Sequence, residues 1–478
     1  MHIRNLTLSA VSALALAACA AGPDHIASTP IRDVETGPFL PAEADVVSPA
    51  PLPQDWWRLY DDPVLDGLVA DALAANTDIR QSVARIDRAR AALRGARSDR
   101  LPQVGLDASA GYGRTPEAQT LPGQDRDGGQ FSIGADIAYE VDLFGRVSSG
   151  VAAARGDVAA ARADAEAVRV MVVADTTRAY ADAASAAARL RVARSIVDLL
   201  EDSLRLTRLR HDAGYTDGLA VARIESLLEQ RAATIPAIEA ERRAALFALA
   251  TLTGRAPAAL PANIGERTVP LEIEAPLPVG DGSQLLARRP DVRAAEQRVL
   301  ADGARIGVAR ADLYPRITLG GSIGSDTSKL GDLFTGGPLG FLLGPLIDWA
   351  FPNREPVYAR IDAAEADARG SLAAFDGTVL VALQEAETAL SDYARALERR
   401  RILVAAVESA ERAARIVRAQ NREGLINSLD TLDAERTLAE TRATLADQDA
   451  EVSRRQIAVF RALGGGWSLD AEDADEEG

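Results

Sequence analysis

In "FSIGADIAYEVD", residues 131–142, larger and smaller or more polar side chains alternate without a break. Phe131, Ile133, Ala135, Ile137, Tyr139 and Val141 fall on one side of an extended chain; Ser132, Gly134, Asp136, Ala138, Glu140 and Asp142 fall on the other. A period of two over about ten residues suits a membrane-barrel strand, which meets lipid on one face and the lumen on the other. A half-buried soluble sheet has the same period, so the surroundings must decide. Upstream, "QVGLDASAGYG" (103–113) sets Val104, Leu106, Ala108, Ala110 and Tyr112 against Gln103, Gly105, Asp107, Ser109 and Gly111. Downstream, Ile317, Leu319 and Ile323 alternate with Thr318, Gly320, Ser322 and Gly324. A fourth segment, "LGFLLGPLID" (339–348), is less regular: Pro345 interrupts it, and Leu342 and Leu346 break the alternation.

These four segments belong to two copies of one plan. "ARSDRLPQVGL" (96–106) matches "ARADLYPRITL" (309–319) at an offset of 213, which also pairs "DIR" (78–80) with "DVR" (291–293). At an offset of 210, "DAGYTDGLAVARIE" (212–225) matches "REGLINSLDTLDAE" (422–435) through Gly214/Gly424, Leu219/Leu429 and Glu225/Glu435. A period this long marks a duplicated domain, not a solenoid.

Each hairpin is followed by a long helical stretch. No proline occurs between Val147 and His211, or between Val357 and Glu423. At about 1.5 Å per residue each stretch spans about 100 Å. A 4-3-4-3 spacing at Val192, Ile196, Leu199, Ser203 and Leu206 recurs at Ile402, Ala406, Ser409, Ala413 and Ile416. That spacing predicts a coiled-coil seam. After each turn a shorter helix returns, over about Leu219–Leu252 and Leu429–Leu463, and further helices over about Asp78–Asp99 and Asp291–Leu313 lead into the first and third strands. Asp78 and Asp291 stand where helix N-caps are expected, and Gly214 and Gly424 where helices stop. The expected organisation is a signal peptide (1–18), an extended N-terminal segment (19–60), a first repeat (61–254), a Pro-rich equatorial segment (255–283), a second repeat (284–464) and an acidic tail (465–478). Trp56 and Trp57 read as packing residues at the equator.

Four strands cannot close a membrane barrel, because single-chain barrels begin at eight. Open edges in lipid leave backbone groups without partners. The chain must therefore oligomerise; a trimer gives twelve strands, and sequence alone also permits two or four chains.

Composition agrees with long, closely packed helices: 47% of residues are hydrophobic and only 4% aromatic. The formal charge of −17 argues against nucleic-acid binding. The one cysteine, Cys19, excludes an internal disulfide. It follows Arg4 and an apolar run over Leu6–Ala18, which is too short to span a bilayer. Leu16-Ala17-Ala18-Cys19 resembles the bacterial lipobox, in which the thiol is lipidated; Ala20 replaces the Asp that often retains such proteins at the inner membrane.

"DWWRLYDDPVLDGLVADALAANTDIR" (55–80), "LLARRPDVRAAEQRV" (285–299) and "ARADLYPRITLGGSIG" (309–324) resemble TolC-type outer-membrane efflux channels, most of all their NodT-type lipoprotein branch. The resemblance covers nearly the whole mature chain. It implies a mostly α protein with a pair of membrane β-hairpins: a periplasmic α-barrel of long coiled-coil helices joined to a twelve-stranded trimeric outer-membrane β-barrel. The implied function is a passive exit duct for small molecules. The implied partners are two further copies of the chain, a periplasmic membrane-fusion adaptor, an inner-membrane resistance-nodulation-division (RND) pump and outer-membrane lipid.

The resemblance also assigns residues. The turns carrying Gly214, Tyr215 and Leu219, and Gly424, Leu425 and Leu429, would dock the adaptor. Asp430 and Asp433, three apart on one helix face, match a carboxylate ring at the tunnel mouth, while as residues alone they also read as acids compensating a helix dipole. The first copy departs from this, with Ala220 and Arg223 at the matching places. Asn421 stands where the family has a gate tyrosine. No catalytic motif or cofactor site emerges: His2, His25 and His211 are scattered, and no phosphate loop or nucleophile elbow is present. An exit duct for type I protein secretion and a coiled-coil lipoprotein spanning the periplasm are the competing readings. Cys19 disfavours the first, and the alternating strands disfavour the second.

Overall fold

The computed structural model describes residues 46–116, 118, 125–280, 285–286, 288–335, 339–423, 425–426 and 428–466, except for the side chains of Ser428 and Leu429. Cys19, Gly424, the signal sequence and the acidic tail lie outside the described residues. In chain order the elements are β1 (Val47–Ser48), α1 (Pro63–Ala75), α2 (Thr77–Ser98), β2 (Gln103–Arg114), β3 (Asp127–Glu140), α3 (Arg146–Asp212), α4 (Gly218–Ala232), α5 (Ile235–Leu252), β4 (Leu277–Pro278), α6 (Pro290–Ala311), β5 (Arg316–Thr327), β6 (Leu339–Asp348), α7 (Glu355–Arg422) and α8 (Ser428–Ala462). The fold is mostly helical, and α3 and α7 contain 67 and 68 residues. None of the described helices is long and apolar enough to cross a membrane.

Two compact units form. One gathers Arg85–Arg162 and Ala294–Asp376. It holds an antiparallel four-stranded sheet in the order β2-β3-β5-β6. Register places Val104, Ile137, Gly321 and Leu343 in one row, and Leu106, Ala135, Ile323 and Phe341 in the next. That face is mainly apolar and largely open to solvent, with Leu106 and Phe341 each more than four-fifths exposed, although Ser325, opposite Ile133 and Leu339, is buried on it. The opposite face carries Asp107, Ser109, Asp136 and Ser322. Asp107 lies over Gly134, and Asp136 over Gly105, where an added Cβ would approach a carboxylate oxygen to 2.8 and 2.5 Å. Leu342 and Leu346 share this second face, Leu342 opposite Ser322 and Leu346 over the gap at Gly320, where an added Cβ would lie 3.0 Å from its side chain. β6 continues through Pro345, opposite Leu319. It is an edge strand of this chain, where a missing N–H is tolerated. Beside the sheet, α3 and α6 approach closely at Gly156, where a Cβ would lie 2.9 Å from that of Ala301.

The other unit gathers the described residues up to Ala84, Ala163–Arg293 and those from Gly377 onward. Its core stacks Trp56 on Phe460 at 4.6 Å, with Trp57 edge-on to Trp56. Such ring pairs contribute about 0.5–1.5 kcal/mol beyond burial. Leu65, Val69, Tyr180, Leu249, Leu271 and Leu277 complete it. β1 pairs in parallel with β4, tying the N-terminal segment to the Pro-rich stretch.

Three expectations are corrected. The first return helix is not continuous: it breaks at Ala233–Thr234, and α5 restarts with Pro236 in its first turn, where a missing N–H costs nothing. The coiled-coil stripe buried within the chain is Ile196, Leu200 and Leu204, repeated as Ala410 and Ala414. The expected Leu206, Ile402 and Ile416 are exposed, one step around the helix. Asp78 does not cap α2. Asn76 does, accepting from the N–H groups of Asp78 (2.8 Å) and Ile79 (3.3 Å). Asp291 likewise lies inside the first turn of α6.

Candidate functional site at the two helix turns

The long helices end the same way. At the end of α3 the Tyr215 N–H donates to the Arg210 carbonyl at 2.8 Å, and Gly214 takes φ +75°. At the end of α7 the Leu425 N–H donates to the Gln420 carbonyl at 2.9 Å. Both bonds close six residues, which satisfies carbonyls that a helix end leaves open. They lie 210 positions apart, as the repeat requires. Asp217 then caps α4, accepting from the Ala220 N–H at 3.0 Å. Tyr215, Leu219 and Leu425 present apolar surface to solvent, Tyr215 at 85% and Leu425 at 73% exposure. Leu429 lies in the first turn of α8.

Asp430 and Asp433 are both exposed on that first turn of α8. Asp433 accepts from Arg436 at 2.9 Å, a pair with both side chains more than half exposed. Such a pair is weakly held, so the Asp433 carboxylate can exchange that partner for a solution cation.

Ion pairs brace each turn, and these the sequence reading missed. Arg208 of α3 meets Glu225 of α4, with both side chains about half exposed. At the duplicated positions Arg418 of α7 grips Glu435 of α8 through two bonds, the Nη2–Oε2 one at 2.7 Å. Glu435 is 3% exposed. The hydrogen bond to Glu435 raises the Arg418 pKa further, although burial opposes it. A third contact joins the ends of α3 and α7: Arg210 donates to the Asn421 side-chain oxygen and, at 3.2 Å, to its backbone carbonyl. Asn421, which stands where the family resemblance places a gate tyrosine, is buried and held by this guanidinium. Glu225 and Glu435 were visible as matched positions. Their arginines stand 17 residues upstream across a turn, beyond any helix-period signal.

A second pair of duplicated locks holds the helices that lead to the strands. Buried Asn76 donates to the Leu252 carbonyl at 3.0 Å. Buried Arg289, 213 residues on, donates to the Ala462 carbonyl at 2.8 Å, and also reaches Asp291 and Glu385 at 2.7 Å. Gly254 and Gly464 let these chains approach: both have positive φ, and a Cβ would meet the Ala75 carbonyl at 2.7 Å or the Arg289 Cγ at 3.1 Å. Burial pushes the Asp291 pKa up, but the Arg289 bond and charge together with backbone N–H donors outweigh it and hold the carboxyl below its ordinary value. Asp62 caps α1 and also accepts from Tyr180 at 3.0 Å and Arg267 at 2.8 Å; burial first, and then that carboxylate, push the Tyr180 hydroxyl up.

Among the described residues no group of three or more His, Cys, Asp or Glu is arranged to hold a metal. The arrangement suits docking and ion attraction.

Comparison with known proteins identifies the family. The family model described as "Outer membrane efflux protein" matches residues 68–255 and 282–465. The chain is 31% identical to the outer membrane protein OprJ of Pseudomonas aeruginosa, over 95% of this chain and 94% of that protein. It is 27% identical to nodulation protein T of Rhizobium leguminosarum bv. trifolii, over 95% and 96%. The solved structure of the outer-membrane channel OprN aligns with a TM-score of 0.84 at 34% identity, covering 90% of this chain and 97% of that one.

Proposed function

The chain belongs to the outer membrane efflux protein family, and from that premise we propose that it is the passive exit duct of a tripartite RND pump, working as a homotrimer. The carrying observation is the four-stranded sheet with an exposed apolar face and open outer edges at β2 and β6. In lipid, such edges must pair. Three copies give twelve strands, the number the family resemblance implies. Exposed Leu206, Ile402 and Ile416 supply apolar surface along the helices for neighbouring copies. Cys19, lipidated, adds a second anchor in the outer membrane.

The two turns are the docking surface for a periplasmic adaptor, with Tyr215, Leu219 and Leu425 as its apolar contacts, and Gly214 and Gly424 as the turn formers that let it approach, beside Leu429. Asp430 and Asp433 of three copies place six carboxylates around one mouth. A mouth lined by one sign of charge concentrates counter-ions. Small molecules delivered by the pump pass through; which ones the duct exports is set by the pump it serves. Native mass measurement of the detergent-extracted protein tests the assembly. Three chains are expected, and a monodisperse monomer would contradict it.

A further inference from the structure

The apolar face of the sheet ends on a basic site that the duct function does not use. Along β6 that face carries Leu339, Phe341, Leu343, Pro345 and Ile347, and the alternation continues to Trp349 and Phe351. Phe131 and Tyr139 on the same face are eight residues apart, about 27 Å along a strand. With the usual tilt, that brings Tyr139 close to one boundary of an apolar band about 25 Å tall. Trp349 lies beyond that row on the side where the strands join the helices, at headgroup level, where tryptophan and tyrosine gather.

Trp349 and Phe351 stack at 4.9 Å. The Arg354 guanidinium lies 5.4 Å from the Trp349 ring centre and 5.7 Å from that of Phe351. The Trp349 indole N–H is already used, donating to the Leu313 carbonyl at 3.1 Å. That bond holds the ring in place. Arg354 differs from its neighbours Arg146, Arg316 and Arg360, which pair with Glu140 or Asp312. Among the described residues Arg354 forms no ion pair, although Asp348 and Glu355 are near in sequence, and its Nε is buried with no hydrogen-bond partner. A guanidinium held against a pair of stacked aromatic rings, with no carboxylate, at the level of lipid phosphates matches an anionic oxygen ligand in charge and geometry.

We propose that Trp349, Phe351 and Arg354 form a binding site for the phosphate of an anionic phospholipid headgroup in the periplasmic leaflet of the outer membrane. The site rests on the reading of the sheet as membrane-embedded. The rings pack on the glycerol and upper acyl region while Arg354 takes the phosphate. A zwitterionic lipid brings its own cation to that phosphate, so phosphatidylglycerol is preferred over phosphatidylcholine.

The test uses vesicles of both lipids, brominated on one or the other, with the full-length protein inserted. Quenching that disappears in Trp349→Phe reports lipid beside Trp349. Bromine on phosphatidylglycerol is expected to report local enrichment of about fivefold, the scale of one basic side chain at an anionic surface. Arg354→Gln should bring the two lipids to parity, Arg354→Lys should restore part of the preference, and Lys329→Gln should leave it intact. Equal quenching by the two lipids in the parent would overturn the site, as would a preference that survives Arg354→Gln. Loss of the preference in excess inorganic phosphate would overturn the lipid as occupant. Trp349 that neither lipid quenches would overturn the membrane placement on which the site rests.

Discussion

The two turns share a backbone and differ in what they carry. Both close with the same six-residue hydrogen bond, and both are braced by an arginine–glutamate pair at matched positions. The first pair is half exposed, whereas the second buries its glutamate. The first return helix breaks after Ala232, whereas the second runs unbroken from Ser428 to Ala462. Two acids, Asp430 and Asp433, stand where the first copy has Ala220 and Arg223. Duplication thus preserved the turn, while the second copy was reinforced beside the place where it gathered negative charge. If three copies set these carboxylates around one axis, as proposed, their mutual repulsion calls for a rigid base.

Breaking the braces separates the copies most. Arg418→Ala leaves Glu435 buried without its cation and should cost about 3 kcal/mol, the lower end for a broken buried pair because Arg418 is itself partly exposed. Arg208→Ala should cost no more than about 1 kcal/mol. Hydrogen exchange of residues 418–435 against 208–225 reads the difference. Equal loosening of the two turns would contradict it.

The locks should differ less. Arg289→Ala removes a buried donor from the Ala462 carbonyl and should cost about 2 kcal/mol, while Asn76→Ala loses a cap and one bond at about 1–2 kcal/mol. Thermal unfolding of the two variants measures both.

The smallest effect concerns pH and falls only on the second lock. Asp291 is held below its ordinary carboxyl value in the folded chain, so its contribution is present above about pH 4, near its unfolded value, and is lost as pH falls through the folded value. Asp291→Asn should flatten the acid limb of the stability profile below about pH 4 and leave its shape above about pH 5 unchanged. An unchanged acid limb would remove Asp291 from the account.

The strands were legible because a period of two needs no partner information. Val104 to Tyr112 and Phe131 to Tyr139 announce their faces residue by residue. The long helices were legible from the absence of proline, and the duplication from matched glycines. What stayed hidden depends on distant atoms. Asn76 and Arg289 share no chemistry, yet both reach a return-helix carbonyl, and only the fold places that carbonyl. The choice between Leu199 and Leu200 as the buried stripe turns on which helix comes closest, and a heptad count does not contain that. The break before Ile235 was available from Pro236 but was masked by the continuous partner helix in the second copy.

On the proposed function, three copies form a conducting duct whose mouth takes its charge from the second turn alone. Single-channel recording in a planar bilayer tests it, with a divalent cation added to each side in turn. A cation-selective pore blocked from the periplasmic side is expected, with most of the block lost in the Asp430→Ala, Asp433→Ala double variant. A parent protein that forms no pore, or a double variant blocked as strongly as the parent, would contradict it.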